Sequence, residues 1–183
     1  SIARQEILDK KVSGGDVTIK VKSTNYTAED EEVYSAELEL ACEGGVFKFD
    51  MQNFLDPNTM SSYKEMGMEI SGDNLAYPQN LKVGVTLPDG MIKMVVKNNE
   101  ITLLTFTVTI SGRKVEAKEN ITTEAGTFPC YKISYNTTSK MGFITVNTST
   151  VEWIAEGVGV VRNESYNKKG KLTGYSVLTA FSN

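Results

Sequence analysis

Histidine is absent from all 183 residues. That absence removes Ser-His-Asp and Cys-His nucleophilic catalysis, the commonest zinc and iron ligand sets, and the usual proton switch near neutral pH. No basic stripe is present either. The 19 Lys and Arg are scattered among 23 acids, for a net charge of -4, so nucleic acid and anionic lipid surfaces have no electrostatic counterpart in the chain. Long apolar runs are lacking too: nothing approaches the roughly 20 residues that cross a bilayer as a helix. The most apolar segment, ITLLTFTVTI (Ile101 to Ile110), is interrupted by threonine at every second or third position. No integral membrane helix is expected.

Cysteine occurs twice, as Cys42 and Cys130. Cys42 falls in phase with Leu38 and Leu40, and Cys130 with Lys132 and Ser134. The two therefore belong to faces of different character, and two free thiols are expected rather than a disulfide.

What is present is alternation. Hydrophobic residues make up 40% and charged residues 23%, the balance of an ordinary globular chain whose length suits one domain over 1–183. Val17, Ile19 and Val21 alternate with polar residues, as do Tyr34, Ala36, Leu38 and Leu40. In the Ile101 to Ile110 segment, Leu104, Phe106, Val108 and Ile110 face one way and Leu103 and three threonines the other. Tyr131, Ile133 and Tyr135 form a further row. Period two marks half-buried strands, and β-branched threonine suits a pleated, half-solvated surface. Gly44-Gly45, Ala125-Gly126 and Asn167 to Gly170 punctuate the strands as hairpin turns. Tyr77-Pro78, Leu87 to Gly90 and Asn98-Asn99 read as further turns. One stretch departs from the pattern. FLDPNTMSSYKEMG carries Asp56 as an N-cap, Pro57 in the first turn and Gly67 as a stop, so it predicts one short helix. The expected architecture is all-β: about ten antiparallel strands and one short helix, closed as a barrel, half-barrel or sandwich.

Candidate sites are few. AEDEE (Ala28 to Glu32) gathers four carboxylates without the spaced ligands of a calcium loop, and reads as a solvated hairpin tip. Ser61 and Lys64 stand at S-x-x-K spacing, but the partner motifs of that chemistry are absent. No catalytic residue, metal ligand or cofactor site is assigned. Six methionines lie between Met51 and Met94; thioethers fill irregular apolar space and line adaptable cavities. On that basis Met60, Tyr63, Met66, Tyr131, Ile133 and the lone Trp153 are the candidate lining of a ligand site.

Three stretches, in order, resemble one family. YPQNLKVGVTLPDG (Tyr77 to Gly90), GRKVEAKENITTEAGTFPCYKISY (Gly112 to Tyr135) and EGVGVVRNESYNKKGKLTGYSVL (Glu156 to Leu178) are similar to the TapB-like family of uncharacterised exported bacterial proteins, common in gut Bacteroidetes. The resemblance covers about 75–183. Glu124 departs from the proline the family usually places before Ala-Gly-Thr-Phe. The resemblance implies an all-β fold and an exported location, periplasmic or as an outer-membrane or cell-surface lipoprotein, whose signal segment would precede Ser1. It implies no activity.

The leading expectation is a non-enzymatic envelope protein that binds an apolar or amphiphilic ligand. The alternative is a structural or protein-interaction module with an envelope protein as partner. A hydrolase is the third reading.

Overall fold

The computed structural model describes residues 1–54, 63, 66–99 and 101–182. Among these residues the alternating pattern folds into twelve strands: β1 (Ile2–Ser13), β2 (Asp16–Tyr26), β3 (Glu32–Glu43), β4 (Val46–Phe49), β5 (Gly67–Gly72), β6 (Leu75–Pro78), β7 (Gly90–Asn98), β8 (Ile101–Thr123), β9 (Gly126–Met141), β10 (Ile144–Ala155), β11 (Gly159–Asn167) and β12 (Leu172–Val177). They form two antiparallel sheets. The first has the order β1-β2-β3-β4-β6, the second β12-β11-β10-β9-β8-β7-β5. Neither closes into a barrel, so each keeps two edges.

The hairpin turns fall where the glycines place them. Gly44 and Gly45 both take positive φ, 56° and 76°, the geometry of a two-residue turn that matches strand twist. Thr123 pairs with Gly126 across the β8–β9 turn, so TTEAGTFPCYKISY is a hairpin centred on Glu124-Ala125, one residue before the expected position. Asn167 accepts from the Gly170 amide at 2.8 Å and closes the last hairpin. AEDEE spans the exposed β2–β3 turn, where Asp30 pairs with Arg4 at 2.7 Å.

One expectation changes. Tyr77-Pro78 is not a turn but the end of β6, an edge strand, where proline's missing N–H costs no ladder bond. Residues 101–123 run as a single strand of 23 residues. Most of the expected helix, including Asp56, Pro57, Met60, Ser61 and Lys64, lies outside the described residues. Just before it, Met51–Phe54 makes one 3-10 turn, begun by Asp50 Oδ1 accepting from the Gln52 amide at 2.8 Å.

Three apolar clusters form the core, and the first of them joins the two sheets. The largest packs Met51 and Leu75 against Ile92, Met94, Val96, Val108 and Ile110. It therefore joins the β4–β6 end of the first sheet to β7 and β8 of the second. Leu87, Val115 and Ile133 form another. Cys130, Trp153, Ala155 and Val161 form the third. Both cysteines are free thiols, Cys42 half-buried and Cys130 buried. Cys130 lies on the side that reads as polar, yet that side is covered near the chain end, where Phe128 meets Phe181 edge to face at 6.4 Å.

Candidate functional site: a buried Arg113–Tyr77–Glu152 cluster between the sheets

The second sheet carries two charged groups, Arg113 and Glu152, where apolar side chains would be expected, and the path of β8 puts the first of them there. β8 and β9 pair Ser111 with Asn136 but Lys114 with Ser134, so β8 holds one extra residue between those pairs, a β-bulge. Gly112 takes φ 65° at that bulge, a conformation that disfavours any side chain with a Cβ. Its amide donates to Asp89 Oδ1 at 3.0 Å. The bulge turns Arg113 toward the first sheet, where the side chain is fully buried.

Arg113 Nη1 donates to two main-chain carbonyls, Pro88 O at 2.7 Å and Ala76 O at 3.1 Å. Its guanidinium lies 4.4 Å from the centre of the Tyr77 ring, a cation–π contact made stronger by desolvation. Nε and Nη2 have no partner among the described residues. Tyr77, on β6, donates its hydroxyl to Glu152 Oε1 at 3.0 Å. Glu152, on β10, pairs with Ile133 on one side and Asn163 on the other, and is 5% exposed.

Burial sets the proton affinities. Glu152 is pushed up to about 6, because desolvation outweighs the hydrogen bond from Tyr77, the charge of Arg113 and the pull of Tyr135. The Tyr77 and Tyr135 hydroxyls are both driven upward, first by burial and then by the neighbouring Glu152 carboxylate. A neutral tyrosine at all physiological pH values can donate to Glu152, and a carboxyl near 6 can change charge within that range. The cluster thus combines a permanent buried cation, two neutral hydroxyls and one titratable acid. It lacks a nucleophile with a base beside it.

The candidate lining residues named from sequence are spread over the fold. Tyr63 packs against the largest cluster and Met66 is exposed. Ile133 lies in the Leu87–Val115 cluster with Tyr131 packed against it, and Lys118 Nζ sits 4.8 Å from the Tyr131 ring centre. Trp153 lies on the opposite face of β10 from Glu152. There its Nε1 donates to Glu119 Oε1 at 2.6 Å, and Lys132 and Arg162 cover its ring. Met60 lies outside the described residues. A depression of about 210 Å3, bordered by Asn136, Thr138, Asn147 and Ser149, has no purely hydrocarbon side chain in its lining.

Sequence reasoning missed Arg113, Tyr77 and Glu152. One signal was available: β10 is apolar in both phases around Glu152, with Val151, Trp153 and Ala155 on one side and Ile154 on the other. An acid in such a strand has to be buried and partnered.

The first sheet leads to this cluster. Its registers align Val12, Val17, Cys42, Phe47 and Tyr77 in one row across all five strands. A second row joins Ile7, Val21 and Leu38, and Ile19 pairs with Leu40 between them. By strand alternation, with the bulge between Ile7 and Asp9 bringing Ile7 into phase with Val12, all of these project from one face, the face on which Phe47 meets Tyr77 with ring centres 6.1 Å apart. Val21 is 6% exposed, Ile7 64% and Val12 65%, so the face runs from enclosed at its centre to open at β1.

Residues 1–178 match the DUF3108-like family. The chain belongs to that family. Two solved structures share the fold. One is a "putative exported protein with YmcC-like fold" from Bacteroides fragilis, 22% identical, with a TM-score of 0.75 over 99% of this chain and 87% of that one. The other is a "putative lipoprotein" from Parabacteroides distasonis, 23% identical, with a TM-score of 0.76 over 97% of this chain and 86% of that one. Comparison with curated proteins finds no match at this level.

Proposed function

We propose that this DUF3108-like protein is a single-domain, non-enzymatic binding protein of the bacterial cell envelope, exported as its resemblance to the TapB-like family implies, and that it holds an apolar or amphiphilic ligand against the inner face of its first sheet. The descriptions of the two structural neighbours as exported protein and lipoprotein support the location. The observation that carries the ligand reading is the continuous apolar row from Val12 to Tyr77. The inward positions nearest β4 and β6 are apolar (Val17, Ile19, Val21, Leu38, Leu40 and Phe47), and the face becomes exposed at Ile7 and Val12 of β1; apolar surface of this kind suits a binding surface.

Native mass spectrometry of the purified protein, followed by denaturing extraction, tests the reading. An added mass that extracts as an amphiphile is the expected result. A bare chain that also takes up no added amphiphile contradicts it.

A second reading has its own observation. The β9–β10 hairpin tip exposes Phe143 completely, beside exposed Met141 and Ile144, a projection suited to a protein partner. If the chain purifies bare and Phe143→Ser abolishes co-purification of an envelope protein, the interaction module is the better account.

A further inference from the structure

We propose that Arg113 is an anion-recognition site, and that the ligand it selects is an amphiphile with a carboxylate head group. This rests on the binding-protein reading and adds the chemistry of the head. Three features of the structure support it.

The first is the unused half of the guanidinium. Arg113 is 0% exposed, and both hydrogen bonds it makes come from Nη1. Nε and Nη2 remain without a partner among the described residues. These two nitrogens form one edge of the planar group, with parallel N–H bonds at the spacing of two carboxylate oxygens. A buried donor left unmatched is costly, and more so when it carries charge. An arriving carboxylate would satisfy both donors at once.

The second is the surrounding charge. Glu152 is the acid that faces the cluster, and it is joined to Tyr77 rather than to Arg113. Among the described residues Arg113 has no ion pair within 4 Å. A monoanion therefore balances a cation that the protein itself compensates only at a distance.

The third is continuity. The apolar row of the first sheet ends at Tyr77, and the Tyr77 ring carries the guanidinium. A chain lying along Val17, Phe47 and Tyr77 brings its head to Arg113. Because the guanidinium is enclosed, the head enters as β6 shifts. β6 is four residues long and is an edge of its sheet, so its shift breaks ladder bonds on one side only, to β4.

The test compares head groups on one tail, using displacement of a fluorescent apolar probe from the full chain. Decanoate, 1-decanol, decyl phosphate and acetate are titrated into the wild type at pH 7.5. Decanoate is expected to bind roughly tenfold or more tightly than decanol, the gain of a charge-assisted pair over a neutral contact. Arg113→Met should bring the two within about threefold, and Arg113→Lys, which keeps charge but not the two-pronged edge, should recover only part of the difference. The wild-type comparison stands even if both variants fail to fold. Equal affinity for decanoate and decanol overturns the head-group inference and leaves the amphiphile reading intact. Failure of every tailed probe overturns both. Preference for decyl phosphate overturns the carboxylate assignment, and acetate matching decanoate means an adventitious ion only.

Discussion

Glu152 is the residue whose behaviour is most easily measured. Its carboxyl is raised from an ordinary 4.5 to about 6 by burial. The folded protein therefore holds that proton more tightly than the unfolded chain, and the stability this contributes is complete below about pH 4.5 and is lost as pH rises through about 6. The difference corresponds to about 2 kcal/mol. Glu152→Gln keeps the acceptor for Tyr77 and removes the titration. Urea denaturation from pH 4.5 to 8 should show the variant gaining on the wild type by about 2 kcal/mol across the rise. A wild type that instead gains on the variant would contradict the burial argument. Tyr77→Phe keeps the ring under Arg113 but leaves Glu152 without its donor. It should destabilise the protein by about 1–3 kcal/mol, more at pH 8 than at pH 5, because the ionised acid needs the donor most. Gly112→Ala has room for its methyl group, since the nearest atom, Asn136 Nδ2, is 3.6 Å away. It must nevertheless hold φ near 65°, at a cost of about 1–2 kcal/mol in chemical denaturation.

At the scale of elements, much was legible and the exceptions have physical causes. Alternation in DVTIKVKS and VYSAELEL identified β2 and β3 and the face each presents, because a strand's side-chain period is fixed by its geometry. The same rule placed Leu104, Phe106, Val108 and Ile110 on one side of β8, and the last two are buried. Bulges broke the rule. The extra residue near Gly112 and another between Val115 and Ala117 shift the phase along β8, so the alternation of Leu104 to Ile110 does not carry on to its far end. Burial of the outer face by the chain end also escaped notice, so Cys130 read as polar-side. The cluster itself was not legible, because Tyr77, Arg113 and Glu152 meet only after two sheets assemble. Ile133 and Glu152 share the inner face, while Trp153 points the other way. An amphiphile bound on the inner face should therefore leave tryptophan emission unchanged, both in wavelength and in quenching by iodide. A marked blue shift on binding would move the site to the outer face.

For the whole molecule, family membership and fold agree with the all-β expectation, and the missing histidine still bears on what chemistry the chain can carry. Two sheets joined at one end by an apolar cluster and a buried Arg–Tyr–Glu relay leave the inner face of β1 to β3 more open than the rest. The account stands or falls on whether that face is where a ligand lies. The most direct measurement is photolabelling with a diazirine-bearing fatty acid, followed by peptide mass spectrometry. Crosslinks at Ile19, Val21, Leu38, Leu40 and Phe47 are the predicted result. Labelling confined to the Phe143 hairpin tip, or to the chain end around Phe181, would contradict it.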